Sequence, residues 1–209
     1  MHIGNRIPPI VLVALVLTAP AMTADGGLII YTDRNEFLAA VEDLEIMNDD
    51  FTDLNGEYYG NPIVRGEETP FEYMLQSSTV VGLLSIGDLI STLYPNSALE
   101  FSAGDSGLSA LGGEFGLVDY NGVSDPGALE IGLQDGSSYS LDLDDGITFF
   151  GIIGDGESIT SLTVASASKT SLVTASAMVL AAVPAPSTVA LLALPLLGPR
   201  RRRSGSLHS

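Results

Sequence analysis

The stretch Ala128-Leu129-Glu130-Ile131-Gly132-Leu133, Gln134-Asp135-Gly136-Ser137, Ser138-Tyr139-Ser140-Leu141-Asp142-Leu143 carries the plainest structural signal in the chain. In its second run polar and apolar residues alternate, which sends one face of a strand into a core and the other into water. Asp-Gly between two such runs predicts a β-hairpin closed by a type I′ turn. Runs of the same kind lie at 79–86, 98–101, 147–153 and 158–165, each bounded by Gly, Asp, Asn or Pro. Turn signals about every ten residues predict a mainly β fold, an antiparallel sandwich or barrel.

One helix interrupts the pattern. Leu28 to Thr32 reads as a first strand, and Asp33 with Glu36 three residues on forms a capping box. Phe37, Leu38, Val41 and Leu44 recur at helical spacing, so a short amphipathic helix is expected there. Gly112-Gly113 before Glu114 suits a turn, and Phe149, Phe150, Ile152 and Ile153 are expected in the core. After Lys169 the composition turns to Ala, Ser, Thr and Val without charge. The resulting division is a β-sandwich domain over 25–170 and a linker over 171–183.

The chain ends carry addresses. Arg6, the apolar run Ile10–Leu17 and the small residues Ala21 to Ala24 have the layout of a signal peptide, 1–24. At the other end Pro184-Ala185-Pro186-Ser187-Thr188 precedes an apolar run, Val189 to Pro199, and then Arg200, Arg201, Arg202 and Arg203. Pro-x-Pro holds a chain extended, an apolar run can enter a bilayer, and an arginine block stays on its cytoplasmic side. This order resembles the PEP-CTERM sorting signal, here 184–203 with a short tail 204–209, and Ala185 stands where the family has Glu. The resemblance implies an exported protein of a Gram-negative-type bacterium. Its partners would be signal peptidase, a membrane-embedded exosortase that removes the hydrophobic tail helix, and transiently the envelope membrane. The mature region is similar to domains often found on such proteins, through Tyr31 to Phe37, Asp50-Phe51, Phe115-Gly116, Phe149 to Ile153 and Ile159 to Val164. That similarity implies a jelly-roll-like sandwich, a class in which some related domains bind carbohydrate.

Charge and composition narrow the function. All 26 Asp and Glu lie between Asp25 and Glu157, and against them the region 25–183 sets Arg34, Arg65 and Lys169, a formal balance of −23. Without a basic face, nucleic acid is not an expected partner. The chain has no Cys, and its two His, His2 and His208, lie in the end segments. Thiol nucleophiles, Ser-His-Asp triads and thiolate or imidazole metal sites are therefore not expected in the mature domain, and neither is a cofactor. Paired carboxylates could serve a glycosidase, but Trp is absent and Tyr58-Tyr59 is the best sugar-contacting pair. Asp142-Leu143-Asp144-Asp145-Gly146 has a partial likeness to a calcium loop, although position twelve is Ile153. Plainer is an outward strand face followed by a turn. Asp49, Asp50 and Asp53 read as a solvated acidic loop. The expectation is a non-enzymatic structural or adhesive protein of the cell surface or biofilm matrix. The alternative is a carbohydrate- or calcium-binding module associated with exopolysaccharide.

Overall fold

A computed structural model describes residues 22–24, 27–54, 56, 58–105, 107–144 and 146–183. The order of elements begins β1 (Met22–Ala24), β2 (Leu28–Tyr31), α1 (Arg34–Ala40), β3 (Glu45–Asp49), β4 (Tyr58–Tyr59), β5 (Ile63–Arg65) and β6 (Tyr73–Ser77). It continues with β7 (Leu83–Ile86), β8 (Leu89–Thr92), β9 (Leu99–Ala103), β10 (Ala110–Val118) and β11 (Gly127–Leu133). The last four are β12 (Ser138–Leu143), β13 (Ile147–Gly154), β14 (Ser161–Ser166) and β15 (Leu172–Ala182). They form a nine-stranded sheet, β1-β2-β13-β10-β15-β8-β7-β4 with β3 also on β15, and a six-stranded sheet, β12-β11-β14-β9-β6-β5. Every ladder is antiparallel. The fold is an antiparallel, jelly-roll-like β-sandwich with one short helix: the alternating runs predict the antiparallel sheets, the Asp33 cap and the spacing after it the helix, and the family resemblance the jelly-roll form.

The main core fills the space between the sheets, with Phe101, Phe115, Phe150, Leu129, Ile131 and Val164 among its buried side chains. The helix closes a second, smaller core on the outer face of the nine-stranded sheet. Asp33 caps it as the sequence predicts, its Oδ1 accepting from the Asn35 and Glu36 amides at 2.7 and 3.0 Å. Phe37 and Val41 then pack on Ala110, Phe149, Val179 and Ala181. Successive residues of a strand point to opposite faces, so Phe149 joins this outer core and Phe150 the inner one.

Glycines make room for the helix. Gly112 of β10 and Gly151 of β13 are direct partners across the ladder. A Cβ on Gly151 would lie 2.6 Å from the Phe37 ring, and one on Gly112 would lie 3.1 Å from it. The pair is a floor on which the ring rests, and Gly112-Gly113 is thus strand interior, correcting the expected turn.

The expected linker, 171–183, is also corrected: β15 is a central strand, paired with β10 on one side and with β8 and β3 on the other. Its small uncharged residues suit a strand covered on both faces, where bulky or charged side chains have no space. Between Gly112 and Glu114 the register slips at a bulge, where Ala177 adopts φ 46°. The bulge lies where the partner of β15 changes from β8 to β3. The 128–143 hairpin forms, but with Glu130 opposite Ser140, one residue off the pairing that a two-residue Asp135-Gly136 turn would set. Its turn differs, because Gly136 with φ 83° is left-handed and Asp135 is not. The Gly136 amide donates to the Leu133 carbonyl at 3.0 Å, which marks a turn with a glycine bulge rather than type I′.

The ladders fix two poles. Leu28 pairs with Gly154, and Ala110 with both Ile153 and Ala181, so the chain enters and leaves the sandwich at one pole. The β9–β10, β11–β12 and β13–β14 connections share this near pole, and the β6–β7, β8–β9, β10–β11, β12–β13 and β14–β15 connections form the far pole. Of the expected leader only Met22–Ala24 is described, as edge strand β1, and β2 keeps its β13 ladder without it. The expected sorting residues Pro184, Ala185, Pro186, Ser187, Thr188 and Arg200 to Arg203 lie outside the described residues.

Gly151→Ala should destabilise the domain by about 1–3 kcal/mol through overpacking against Phe37. Adding Phe37→Leu should recover part of that loss in a double-mutant cycle. Urea unfolding measures both, and strict additivity would remove the glycine floor from the account.

Candidate functional site

Of the three acids expected in a solvated loop, Asp49 is instead buried, at 8% exposure. It ends β3 in the nine-stranded sheet, facing Arg65 at the end of β5 and Tyr73 at the start of β6 in the six-stranded sheet. Arg65 Nε donates to Asp49 Oδ2 at 2.8 Å and Nη2 to Oδ1 at 2.7 Å, a bidentate pair. The Tyr73 hydroxyl adds a bond to Oδ2 at 2.8 Å, and the Phe51 amide donates to Oδ1 at 3.1 Å. Arg65 also bonds Asp53, at 2.7 and 2.8 Å. Its guanidinium lies 5.9 Å from the centre of the Phe51 ring.

The hydrogen bonds it donates to Asp49 and Asp53 hold the Arg65 guanidinium protonated above its ordinary range. Burial, with the nearby Asp49 carboxylate, pushes the Tyr73 phenol up, so it stays a donor. The hydrogen bonds from Arg65 hold Asp53 below the usual carboxylate range. With each guanidinium nitrogen bonded to a carboxylate and the Tyr73 hydroxyl bonded to the same Asp49, this clasp is structural. Nothing about it offers a reacting atom.

Two pockets open at the near pole. One, of about 290 Å³, is lined by Thr69, Glu72, Met74, Gly104 and Asp105. The other, of about 420 Å³, lies between Asp43 and Leu44 after the helix and Gly154, Glu157 and Val183. Each carries carboxylates and no cation. Among the described residues no three His, Asp or Glu side chains converge as a metal-binding group, and no helix is long and apolar enough to cross a membrane. Asp142 points outward from β12, opposite Ala128, and Gly146 turns at φ 90° against Ser124. Asp145 lies outside the described residues.

The expected aromatic pair divides. Tyr58 is 57% exposed on edge strand β4, its hydroxyl accepting from the Gly82 amide at 3.0 Å. Tyr59 points inward and packs against the main core.

The far pole has a different character, and sequence reading passed over it. Val80, Tyr94, Tyr120 and Val123 stand at its loop tips, exposed by 97, 48, 72 and 61%. Their loops are stitched together. Thr79 and Ser97 share a hydroxyl bond of 3.0 Å, and the Ala98 amide donates to Ser78 Oγ at 2.8 Å. The Val173 amide donates to Thr92 Oγ1 at 3.1 Å, and Ser171 Oγ to Asp125 Oδ2 at 2.5 Å. Asp119 Oδ1 accepts from the Asn121 and Val123 amides at 2.8 and 2.9 Å, closing the turn that displays Tyr120. Those bonds hold the Asp119 carboxyl below its usual range. The available signal was tyrosine at a turn, beside Pro95 and within Asp119–Gly122, where no strand could bury it.

No family model matches the chain, and no curated protein matches it. Among solved structures, a variant of a family 29 carbohydrate-binding module is 8% identical, with 66% of this chain and 93% of that one covered and a TM-score of 0.35. The CBM22-1 xylan-binding domain of Xyn10C from Paenibacillus barcinonensis is 12% identical, covering 68% of this chain and 97% of that one, with a TM-score of 0.34. A family two carbohydrate esterase from Cellvibrio japonicus is 11% identical over 68% of this chain and 35% of that one, with a TM-score of 0.30. None of these likenesses bears on what this chain binds.

Arg65→Leu should cost about 3–5 kcal/mol, because it strands the buried Asp49 carboxylate without its cation. The Asp53 carboxyl has a folded pKa below its unfolded value of about 3.9. Its stabilising share is therefore complete above about pH 4 and is lost as pH falls through the folded value. Arg65→Leu should remove that acid-side loss. Chemical denaturation of both forms between neutral pH and pH 3 checks the two statements together.

Proposed function

We propose that this protein is an exported, non-catalytic module of the cell surface or extracellular matrix of a Gram-negative-type bacterium. Signal peptidase would remove the leader 1–24, and an exosortase acting at the envelope membrane would process the tail at Pro184-Ala185-Pro186. The remaining domain, on the order of 160 residues, is a typical single-domain size. The module acts by structure or adhesion, and exopolysaccharide is the matrix component it would meet.

The observation that carries this reading is the polarity of the sandwich. Val183, the residue before the sorting motif, leaves at the near pole, beside the carboxylates of Asp43 and Glu157. Exposed Val80, Tyr94, Tyr120 and Val123 stand at the opposite pole. A domain tethered, even briefly, by its C-terminal end thus presents its apolar loop tips away from the membrane. The acidic near pole resists lying flat on an anionic surface. Together these features support a module that is delivered from one end and makes contact with the other.

Intact mass of the protein recovered from the surface and medium of its native host should show a species beginning near Asp25 and ending near Pro186. Added mass would mark a sugar or lipid attached during sorting. Recovery only of a form still carrying Arg200 to Ser209 would overturn the sorting reading and leave a membrane tail anchor in its place.

A further inference from the structure

The geometry points to the far-pole rim as a binding surface for a neutral polysaccharide, with Tyr94 and Tyr120 as the rings on which sugar faces stack. This inference rests on the presentation of that pole described above, and it adds the ligand class. Burying a large apolar side chain is worth about 1.5–3 kcal/mol, so a sandwich with free loops would fold such residues inward. Here the loops are fixed by the Thr79–Ser97, Ser78–Ala98, Asp125–Ser171 and Asp119–Val123 bonds, and the tips are held out. An exposed surface ordered before binding loses little entropy on contact, which is the condition for useful affinity from a small area.

Chemistry selects the occupant. The region 25–183 has a formal balance of −23, and its cations are Arg34, Arg65 and Lys169. Arg65 is committed to Asp49 and Asp53. Arg34 lies on the helix, away from the far pole, so Lys169 is the one cation available to the far-pole loops. Polyanions, whether nucleic acid, uronate polymer or anionic lipid, meet repulsion there. A second copy brings the same negative charge. The membrane to which the tail runs lies toward the other pole. A neutral polysaccharide carries no such penalty. Tyrosine suits it, having an apolar ring for a pyranose face and a hydroxyl for the polar rim of the sugar. The exposed amide of Asn96 and the hydroxyl of Ser124 stand in the same two loops as the rings.

The test uses the protein isolated from its native host strain, as wild type and as Tyr94→Ala, Tyr120→Ala and Tyr120→Phe variants. Retention is measured on xylan, cellulose and dextran, on alginate, and on phosphatidylcholine vesicles. Each alanine substitution should weaken retention on at least one neutral polymer about tenfold, the range of an interface anchor. Tyr120→Phe should keep most of it, and Met74→Ala on the outer face of the six-stranded sheet should leave it unchanged. Unchanged melting temperatures would separate lost contacts from lost folding. Stronger retention on alginate or on vesicles, equal retention by all variants, or no retention on any neutral polymer would overturn the inference. Self-association that the alanine variants abolish would do the same. None of these outcomes touches the export reading, which the intact mass decides separately.

Discussion

The Asp49–Arg65 pair is the one ionic contact that crosses from the nine-stranded sheet to the six-stranded one among the described residues. Its value has to be argued with care. Removing two charges from water costs several kcal/mol per ion, and their attraction returns that only when the geometry is good and the remaining lone pairs are satisfied. Here the carboxylate accepts two bonds from Arg65 and one each from Tyr73 and the Phe51 amide, so it is satisfied. A well-packed apolar replacement could hold the sheets together as firmly. What an ion pair adds is registry, because a bidentate contact tolerates no sliding. It fixes the end of β3 against the ends of β5 and β6, and Phe51 then enters the core at φ 57°.

The second constraint acts on the opposite face. A sheet that carries a helix outside and a core inside is covered twice, and its central strands β10, β13 and β15 must be narrow where the helix rests. Gly112 and Gly151 provide the narrow place, and Phe37 fills it, with Tyr31 edge-on at 5.9 Å and Phe149 at 5.3 Å between ring centres. This packing sets the position of the helix, whose far side leads to β3 and so to Asp49. The two constraints are therefore consecutive along the chain. The helix is seated by glycine, and the strand that follows it is latched by arginine.

How much of this could be read in advance follows from how local each signal is. The 128–143 hairpin and the Asp33 cap were legible because their causes lie within a few residues: period-two alternation in one case, a side chain reaching its own first turn in the other. β10 was not legible, since its two glycines answer to Phe37 and Met178 from other elements and look like a turn when seen alone. β15 was missed for a related reason. A strand buried on both sides by small residues has the composition of a linker, and only its three partners distinguish it. Asp49 read as one acid among many because its partner Arg65 is 16 positions away. One of only two arginines in so acidic a domain was the available hint. The rim tyrosines left a fainter trace, as aromatics placed where turns rather than strands were expected.

The distribution of charge links fold to function. A domain with a balance of −23 repels itself as well as its neighbours, and this self-repulsion works against compactness. Among the described residues the sandwich accommodates it by keeping almost every carboxylate in water and bringing inside only Asp49, which meets a cation. Exposed acids then become a property of the outer surface, strongest around the near pole, where Asp43, Glu72, Asp105 and Glu157 line the pockets. Apolar contact surface cannot be maintained in such a field without attracting cations or water, except where the acids are tied into the loops themselves. At the far pole the two acids in the loops beside the apolar tips are: Asp119 is held by its own turn and Asp125 by Ser171. The same hydrogen bonds that hold Tyr120 out therefore also fix the ionised Asp119 carboxylate beside it, which leaves that rim apolar at its tips and still repellent to polyanions.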